Sequence, residues 1–398
     1  MSAYIYDGLR TPFGRHAGAL APVRPDDLLS GVIRALLTRG PFELGDIEDV
    51  VIGCTNQAGE DSRNVARHAA LLAGLPIEVG GVTVNRLCGS GLAAVLDAAR
   101  AVMTGQGELF VAGGVESMSR APFVLPKAES AFSRDAQVFD TTMGARFPNP
   151  RVVARFGGDT MPETADHIAR DLGIGRVASD RFALASQQKF ATARARGFFT
   201  GELVPVELPG RKGVITTVTV DEHPRPDTTL DKLSTLKPLA ADGVVTAGNA
   251  SGINDGAAAL LVGSICVGES VGCKPLARIV SAAIAGVPPR TMGLGPVPAA
   301  RKALERAQLA LSDMDVIEIN EAFAVQVLGC LKLLELGDDD SRVNPNGGAI
   351  AVGHPLGASG ARLALTAARQ LQVSGGRYAL VSMCIGVGQG IAAILERV

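Results

Sequence analysis

The chain contains an internal repeat, and this repeat restricts the folds open to it more than any other feature. At an offset of 269 residues, Gly89–Gly91 aligns with Ala358–Gly360, and the match continues without a gap through the apolar segment that follows. It ends on two apolar strands, Leu109–Ala112 and Tyr378–Val381. We therefore expect two copies of a unit in which a helix is followed by a strand.

A second match precedes each of these units. Asp46–Ile52 aligns with Asp313–Ile319 at an offset of 267 residues, so chance similarity between two Ala-rich helices is a weaker explanation. Each copy alternates short apolar strands with helices, which predicts an α/β fold built twice. Two copies of one fold commonly pack about a pseudo-twofold axis. The two repeated helix starts should then converge, with a ligand site between the halves at the strand ends.

The interval between the copies is too long to be a loop. Residues 121–249 are predicted to form an inserted subdomain that contains a helical run at Asp180–Lys189. The N-terminal half then comprises residues 1–120 plus 250–274, and the C-terminal half comprises residues 275–398.

Composition argues against several classes of function. The formal net charge is -2 and no basic block is present, which disfavours an extended nucleic-acid interface. No apolar run has membrane-spanning length and the first residues lack a secretory pattern, so we expect a soluble, cytoplasmic protein. The six cysteines are scattered without a Cys-x-x-Cys pair. Free thiols in a reducing compartment are therefore favoured over disulfides or a metal site.

Cys88 lies in the run Asn85–Gly91, immediately before the first repeated helix. The unpaired N–H groups of a helix start stabilise negative charge, so we expect a pKa below the ordinary cysteine value and a thiolate at neutral pH. The adjacent glycines leave space for a substrate beside the sulfur. The alternative is a small apolar side chain buried in a tight turn, and this segment alone does not decide between the two.

The second copy supplies a histidine in the corresponding place. His354 lies in a glycine-rich turn, three residues before the position that corresponds to Cys88. If the copies pair, imidazole and thiol are neighbours, and a neutral imidazole can accept the thiol proton. Surface or packing roles are predicted for the remaining histidines, which are His16, His68, His167 and His223.

Two further segments follow strands of the second copy. Cys384 precedes a run with glycines at alternate positions, whose main-chain N–H groups can bind an oxyanion. Asn320 follows the strand that ends at Ile319, where its amide can hold a water or a carbonyl oxygen. Taken alone, an Asn-Glu pair before a helix more often indicates a helix cap.

Together these segments resemble the signature sequences of the thiolases. The motifs are Asn85–Gly91 (Asn-Arg-Leu-Cys-Gly-Ser-Gly), Asn320–Ala324 (Asn-Glu-Ala-Phe-Ala), Gly353–Pro355 (Gly-His-Pro) and Cys384–Gly386 (Cys-Ile-Gly). The resemblance covers essentially the whole chain, including Gly113–Ser119 and Thr246–Ala258. It implies a layered αβαβα core made of two duplicated α/β halves, with an inserted loop domain.

The resemblance implies an acyltransferase that cleaves a 3-oxoacyl-CoA with a second coenzyme A. By that likeness Cys88 is the acylated nucleophile, His354 activates it, and Cys384 exchanges a proton with the departing acetyl-CoA enolate. One oxyanion hole would combine His354 with a water held by Asn320. The other would use the main-chain N–H groups of Cys88 and Gly386.

Coenzyme A is implied as a co-substrate, with no prosthetic group or metal. The positions matching the family's coenzyme A contacts are Met161, Arg225 and Ser251, of which Arg225 suits a phosphate. The likeness also implies a homodimer or a homotetramer, with no nucleic-acid or membrane partner.

Three segments, Phe139–Gly144, Arg225–Leu230 and Met383–Gly390, are most similar to family members that act on 3-oxoadipyl-CoA. That substrate ends in a carboxylate, and the candidate cations for it are Arg146, Arg151 and Arg155. A solvated surface role is the alternative for each arginine.

Other functions remain open. A short-chain 3-oxoacyl-CoA thiolase is the next interpretation, followed by a non-enzymatic acyl-CoA-binding relative and a decarboxylating condensing enzyme. The joint presence of Cys88, His354, Cys384 and Asn320 argues against the non-enzymatic one. A condensing enzyme would be expected to have a histidine or an asparagine in place of Cys384.

Overall fold

One mixed β-sheet of ten strands organises the computed structural model, which describes residues 1–210 and 213–398. The strands of the described residues, ten in this sheet and four in two separate hairpins, are β1 (Ala3–Arg10), β2 (Gly14–Arg15), β3 (Ile47–Gly53), β4 (Val82–Val84), β5 (Leu109–Ser117), β6 (Phe123–Val124), β7 (Phe139–Asp140), β8 (Val206–Pro209), β9 (Ile215–Val218), β10 (Asn254–Gly263), β11 (Ala277–Gly286), β12 (Val316–Ile319), β13 (Tyr378–Ile385) and β14 (Gln389–Arg397).

The helices lie between these strands along the chain. They are α1 (Pro25–Arg39), α2 (Val65–Ala73), α3 (Ser90–Met103), α4 (Pro150–Phe156), α5 (Met161–Leu172), α6 (Arg176–Ala195), α7 (Leu230–Ser234), α8 (Ile265–Ser270), α9 (Pro296–Ala307), α10 (Ala324–Leu333), α11 (Ala349–Val352) and α12 (Leu356–Ser374). Among the described residues, no helix is both long enough and apolar enough to cross a membrane.

The strand order displays the repeat. The main path runs β12-β13-β14-β11-β1-β10-β5-β3-β4, so four equivalent strands of each half follow the same order outward from the central β11–β1 contact, and β4 is an additional edge strand of the N-terminal half. The outer pairs β3–β5 and β12–β13 are parallel, and the pairs toward the centre are antiparallel. The halves join where β1 pairs with β11, with Ile5 opposite Ala277. The predicted duplicated α/β fold is confirmed.

The two repeated helices lie between the halves. α3 and α12 pack against each other, and α12 contacts β5 and β10 of one half as well as β13 and β14 of the other. Their Ala- and Leu-rich faces form the largest buried apolar cluster together with strand residues from both halves. On the outer faces, α1 and α2 cover the N-terminal strands, and α9 and α10 cover the C-terminal strands. The result is the layered αβαβα arrangement that the resemblance to the thiolases implies.

The chain between β5 and β10 contains four helices, α4 to α7, and two small hairpins, within the residues described. The hairpins β6–β7 and β8–β9 are separate from the main sheet. The predicted helical run Asp180–Lys189 lies inside α6. The domain boundaries given above stay a prediction.

The starts of α3 and α12 meet backbone to backbone. A Cβ atom on Gly91 would lie 2.5 Å from the carbonyl oxygen of Gly357, and one on Gly360 would lie 2.2 Å from the main-chain nitrogen of Leu92. A side chain at either position would therefore push the two helices apart. The predicted convergence of the two helix starts is confirmed.

Replacing Gly360 by alanine should destabilise the protein by about 1–3 kcal/mol, since the added methyl group overlaps the backbone of α3. Gly31 is the matched control, because it lies inside α1 and a Cβ there would have no neighbour within 4 Å. Gly31→Ala should raise stability by about 0.5–1 kcal/mol through its higher helix propensity. The midpoints of chemical denaturation measure the change in stability of both variants. A Gly360→Ala midpoint equal to that of the parent would contradict the close approach.

Candidate active site

Cys88 lies in a tight turn immediately before α3, as the sequence predicts. The preceding residue, Leu87, has φ +47°, a left-handed conformation that is strained for a bulky side chain. Hydrogen bonds hold it there: Asn85 Oδ1 accepts from the main-chain N–H of Leu87 (2.9 Å), and Ser90 Oγ donates to its carbonyl (2.6 Å). The turn presents the Cys88 side chain, which is only partly buried, ahead of the helix.

The expected low pKa of Cys88 is wrong. Burial raises the pKa of this thiol above its ordinary value, and hydrogen bonds from the main-chain N–H groups of Gly386 and of Cys88 itself offset only part of that rise. The nearby Glu116 carboxylate raises it further. The helix start contributes donors to the sulfur, but desolvation is the larger effect. The resting state is therefore a thiol, and forming the thiolate requires a base.

His354 is buried in the turn before α12 and is held on three sides. Its main-chain N–H donates to Asn254 Oδ1 (2.9 Å), its Nδ1 lies 2.6 Å from Ser359 Oγ, and its Nε2 lies 3.3 Å from Asn320 Nδ2. The Ser359 hydroxyl donates its single proton to the Pro355 carbonyl (2.9 Å), so it accepts from Nδ1–H. This pattern assigns the lone pair of the ring to Nε2.

Desolvation by burial, reinforced by the Arg362 guanidinium, lowers the pKa of His354 to about 3. The imidazole is therefore neutral at pH 7 and has a basic nitrogen available at Nε2. Ser359 was not among the residues predicted from the sequence. Its position in the second repeated helix, where it aligns with Ser90, was the signal that pointed to it.

Asn320 is completely buried at the carboxyl end of β12. Its main-chain N–H donates to Ser382 (2.9 Å), and its side-chain Oδ1 has no hydrogen-bond partner among the described residues. A buried amide oxygen without a partner is costly and marks a place for a water or a ligand donor. Asn320 therefore donates through Nδ2 to the lone pair of His354 Nε2 and leaves its own Oδ1 as a free acceptor beside the imidazole.

The alternative that Asn320-Glu321 caps a helix is wrong. α10 begins at Ala324 and Phe323 is its N-cap residue. Glu321 instead accepts hydrogen bonds from the side chains of Ser186 (2.6 Å) and Asn344 (2.8 Å) and from the main-chain N–H of Ile350 (3.1 Å). Its carboxylate thus fixes the turn that leads toward His354.

Cys384 is the penultimate residue of β13 and is buried. Burial raises its thiol pKa well above the ordinary value, and the nearby Cys88 and Cys330 sulfurs raise it further. Gly386 lies two residues after Cys384, and its main-chain N–H lowers the pKa of the Cys88 thiol. A Cβ on Gly386 would lie 3.3 Å from Leu87 Cδ1. Two cysteines and two main-chain donors therefore meet where the N-terminal turn faces the end of β13.

Glu116 is a buried residue of this region that the sequence did not indicate. Its carboxylate accepts from the main-chain N–H groups of Thr55 (3.0 Å), Asn56 (3.0 Å) and Gly357 (2.8 Å), so it joins the loop after β3 to the start of α12. Burial raises its pKa to about 7. Cys54, Asp61 and Glu116 also place potential metal-ligand atoms near one another. The three main-chain donors on Glu116 identify it as a structural anchor.

The three residues proposed for coenzyme A lie on both sides of the site. Met161 begins α5, and its sulfur would be 3.8 Å from a Cβ on Gly386. Ser251 donates its N–H to the Ala322 carbonyl (3.0 Å), next to the Asn320 segment. Arg225 is exposed and has no carboxylate within salt-bridge distance among the described residues. Met161 thus lies beside the Gly386 loop, and Arg225 is an exposed cation.

His223 lies beside Ser251, although the sequence suggested only a surface or packing role for it. Its ring lies against Gly252, where a Cβ would come within 2.3 Å of His223 Cε1, and it is adjacent to Ser251. Burial and the positive charge of Arg225 lower its pKa to about 4. His223 therefore connects Arg225 to Ser251. Such a contact between distant segments has no signal in the local sequence.

Comparison with known sequences agrees with this geometry. The chain matches the family model for the thiolase N-terminal domain over residues 3–265 and that for the thiolase C-terminal domain over residues 273–397. It is 61% identical over 398 residues to the 3-oxoadipyl-CoA/3-oxo-5,6-dehydrosuberyl-CoA thiolase of Escherichia coli, covering 100% of this chain and 99% of that protein. It is 58% identical, with the same coverage, to a beta-ketoadipyl-CoA thiolase of Acinetobacter baylyi.

Solved structures give the same result. The acetyl-CoA acetyltransferase of Bacillus anthracis superposes with a TM-score of 0.93 at 38% identity, covering 100% of this chain and 99% of that one. Human mitochondrial 3-ketoacyl-CoA thiolase superposes with a TM-score of 0.92 at 39% identity and the same coverage. Since both family models match and the relatives align from end to end, this chain belongs to the thiolase family.

Proposed function

We propose that the protein is a 3-oxoadipyl-CoA thiolase, which cleaves that substrate with coenzyme A to acetyl-CoA and succinyl-CoA. One observation carries the proposal: the turn of Cys88 packs against the Gly386 loop, where a Cβ on Gly386 would lie 3.3 Å from Leu87 Cδ1, so the main-chain N–H groups of Cys88 and Gly386 act on the Cys88 sulfur and favour its thiolate. A tetrahedral oxyanion formed during attack by this sulfur would have the same donors within reach. The relatives named for this substrate are 56–61% identical over nearly their whole length, which supports the acyl specificity.

In the first step, His354 accepts the proton of Cys88 and the sulfur attacks the 3-oxo carbon. The neutral imidazole and its lone pair at Nε2 support this role. The carbon–carbon bond then breaks, a succinyl thioester remains on Cys88, and acetyl-CoA leaves as an enolate. Cys384 protonates the enolate, for which a buried thiol with a raised pKa is suited because it keeps its proton until needed. A second coenzyme A then removes the succinyl group.

The enolate oxygen needs its own stabilising group. We assign this role to His354 together with a water bound by Asn320, because the buried Asn320 Oδ1 lacks a partner among the residues described. The oxyanion of the acyl-transfer steps uses the N–H groups of Cys88 and Gly386. The two sites separate the charges that develop at different stages of the reaction.

Coenzyme A is assigned to the region bounded by Met161, Ser251 and Arg225. Arg225 is an exposed cation that suits a phosphate group, and Met161 beside Gly386 offers an apolar contact to the pantetheine arm. Coenzyme A enters as a co-substrate, and the acyl chemistry described needs no metal or prosthetic group.

We also propose a cytoplasmic homodimer or dimer of dimers. The need to keep Cys88 and Cys384 as free thiols supports a reducing compartment. Strand β4 forms one outer edge of the sheet, and Val82 on that strand and the nearby Ile77 are exposed, which supports contact with a second copy there.

Thiolysis rates test the acyl specificity. We expect kcat/KM for 3-oxoadipyl-CoA to exceed that for acetoacetyl-CoA and for a longer 3-oxoacyl-CoA by at least about tenfold, because only the first has a terminal carboxylate. A preference for acetoacetyl-CoA would favour the short-chain alternative, to which the 38% identical Bacillus anthracis enzyme lends support. Absence of thiolysis with all three substrates would favour a non-enzymatic acyl-CoA-binding protein.

A further inference from the structure

The structure distinguishes among the three arginines that the sequence offers for a carboxylate. Arg151 and Arg155 belong to α4 and their side chains are exposed, with the Arg155 guanidinium 5.0 Å from the ring centroid of Phe156. Arg146 precedes α4, is half-buried and donates a hydrogen bond to the loop after β3 of the N-terminal half. Only Arg146 is therefore linked to the loops around Cys88 by the contacts of the described residues.

Hydrogen bonds dock the segment containing Arg146 on the loop after β3. Asn56 Nδ2 donates to the Thr141 carbonyl (3.3 Å) and to Thr141 Oγ1 (3.2 Å), and Thr141 Oγ1 donates to the Pro122 carbonyl (2.7 Å). The guanidinium of Arg146 donates through Nη2 to the Asn56 carbonyl. The segment is thus held at Thr141 by the Asn56 side chain and at Arg146 by the bond from its guanidinium to the Asn56 carbonyl.

The same loop supports the turn that carries Cys88. Thr55 Oγ1 donates to the Leu87 carbonyl (3.2 Å), and Asn85 Nδ2 donates to the Thr55 carbonyl (2.9 Å). Arg146, the Thr55-Asn56 loop and Leu87 therefore form one chain of contacts that ends at the residue before the nucleophile.

The charge of Arg146 is not balanced locally. Arg120 is paired with Glu60, and Arg10 with Glu202 and Asp221, whereas no Asp or Glu of the described chain lies within 4.0 Å of the Arg146 nitrogens. One carbonyl occupies one of the five N–H donors of its guanidinium. A half-buried guanidinium with free donors suits a carboxylate.

We propose that Arg146 binds the terminal carboxylate of the succinyl group carried by Cys88 and so determines the acyl specificity. The proposal rests on the function proposed above, since it requires a dicarboxylic acyl chain. Neutral acyl groups such as acetyl have no atom to reach this cation. Arg146 therefore acts in choosing the substrate, and not in the bond-breaking steps.

The test is Arg146→Gln, assayed by thiolysis of 3-oxoadipyl-CoA and of acetoacetyl-CoA. A charge-assisted hydrogen bond contributes about 1.5–3 kcal/mol, so kcat/KM for 3-oxoadipyl-CoA should fall about 10- to 150-fold. Acetoacetyl-CoA has no carboxylate, so its kcat/KM should fall far less. Arg146→Lys keeps the charge without the paired donors and should retain part of the preference.

Arg151→Gln is the matched control, because it removes an exposed arginine of the neighbouring α4, and it should leave both rates unchanged. An equal loss on both substrates in Arg146→Gln, or an unaltered preference, overturns the proposal while the thiolase assignment stands. The proposed function fails separately, if the parent enzyme itself shows no preference for 3-oxoadipyl-CoA.

Discussion

Replacing Cys88 by serine should abolish the acyl-enzyme and lower thiolysis by on the order of 10⁴-fold or more. Burial already raises the pKa of the Cys88 thiol, and a serine hydroxyl in the same place is far harder to ionise. His354, whose own pKa is lowered to about 3, is a weak base in this setting and deprotonates a serine hydroxyl far less readily than the more acidic thiol. The main-chain donors of Cys88 and Gly386 would remain but would have no nucleophile to assist.

Mass spectrometry of the protein after reaction with 3-oxoadipyl-CoA measures this directly. The parent should gain one succinyl group on the peptide containing Cys88, and Cys88→Ser should gain none. Cys266→Ser is the control, since Cys266 is an exposed residue of α8, outside the site. A succinyl group on another cysteine, or full thiolysis by Cys88→Ser, would show that the nucleophile is misassigned.

The repeat predicted much of the fold because it encodes relations that are local in sequence. The helices that start near Gly89 and Pro355 and the strands β5 and β13 follow from apolar periodicity within each copy. The turns before the equivalent strands β3 and β12 are also repeated. Asp46 and Asp313 each accept a hydrogen bond from the main-chain N–H three residues earlier.

The repeat did not predict which strands join the two halves. Pairing of β1 with β11 depends on edge-to-edge contact between strands 270 or more residues apart, and neither strand differs in pattern from the others. The small hairpins β6–β7 and β8–β9 were likewise not anticipated, because strands of two to four residues carry too few side chains for a period.

The sequence indicated that Cys88 lies at a helix start, but it predicted the wrong direction for the pKa of its thiol. A helix start lowers the pKa of an exposed thiol, which made a thiolate at Cys88 the natural expectation. Burial reversed the direction, and burial depends on β13 and the Gly386 loop, which come from the other half of the chain. Glu116 and His223 were missed for the same reason, since each acts by touching a segment distant in sequence.

Replacing Cys384 by alanine should separate acyl transfer from carbon–carbon bond chemistry. Acyl transfer from succinyl-CoA to Cys88 needs only the nucleophile, its base and the two main-chain donors, so Cys384→Ala should still form the succinyl-enzyme from succinyl-CoA. Cleavage of 3-oxoadipyl-CoA produces an enolate that needs a proton, and that step loses its donor. Thiolysis should therefore fall by on the order of 10²–10⁴-fold, the usual contribution of a positioned acid or base.

Cys330→Ala is the matched control for this change. Cys330 is also buried, its pKa is raised to about 12, and it lies on α10 with its sulfur 3.3 Å from the Gly293 carbonyl. Both variants lose a buried thiol and leave a similar cavity, so a loss of stability affects them alike. Only Cys384→Ala should lose cleavage while keeping acylation from succinyl-CoA. If Cys384→Ala cleaves 3-oxoadipyl-CoA as fast as Cys330→Ala does, the proton donor is another group, and His354 carrying the proton that it took from Cys88 becomes the candidate to test.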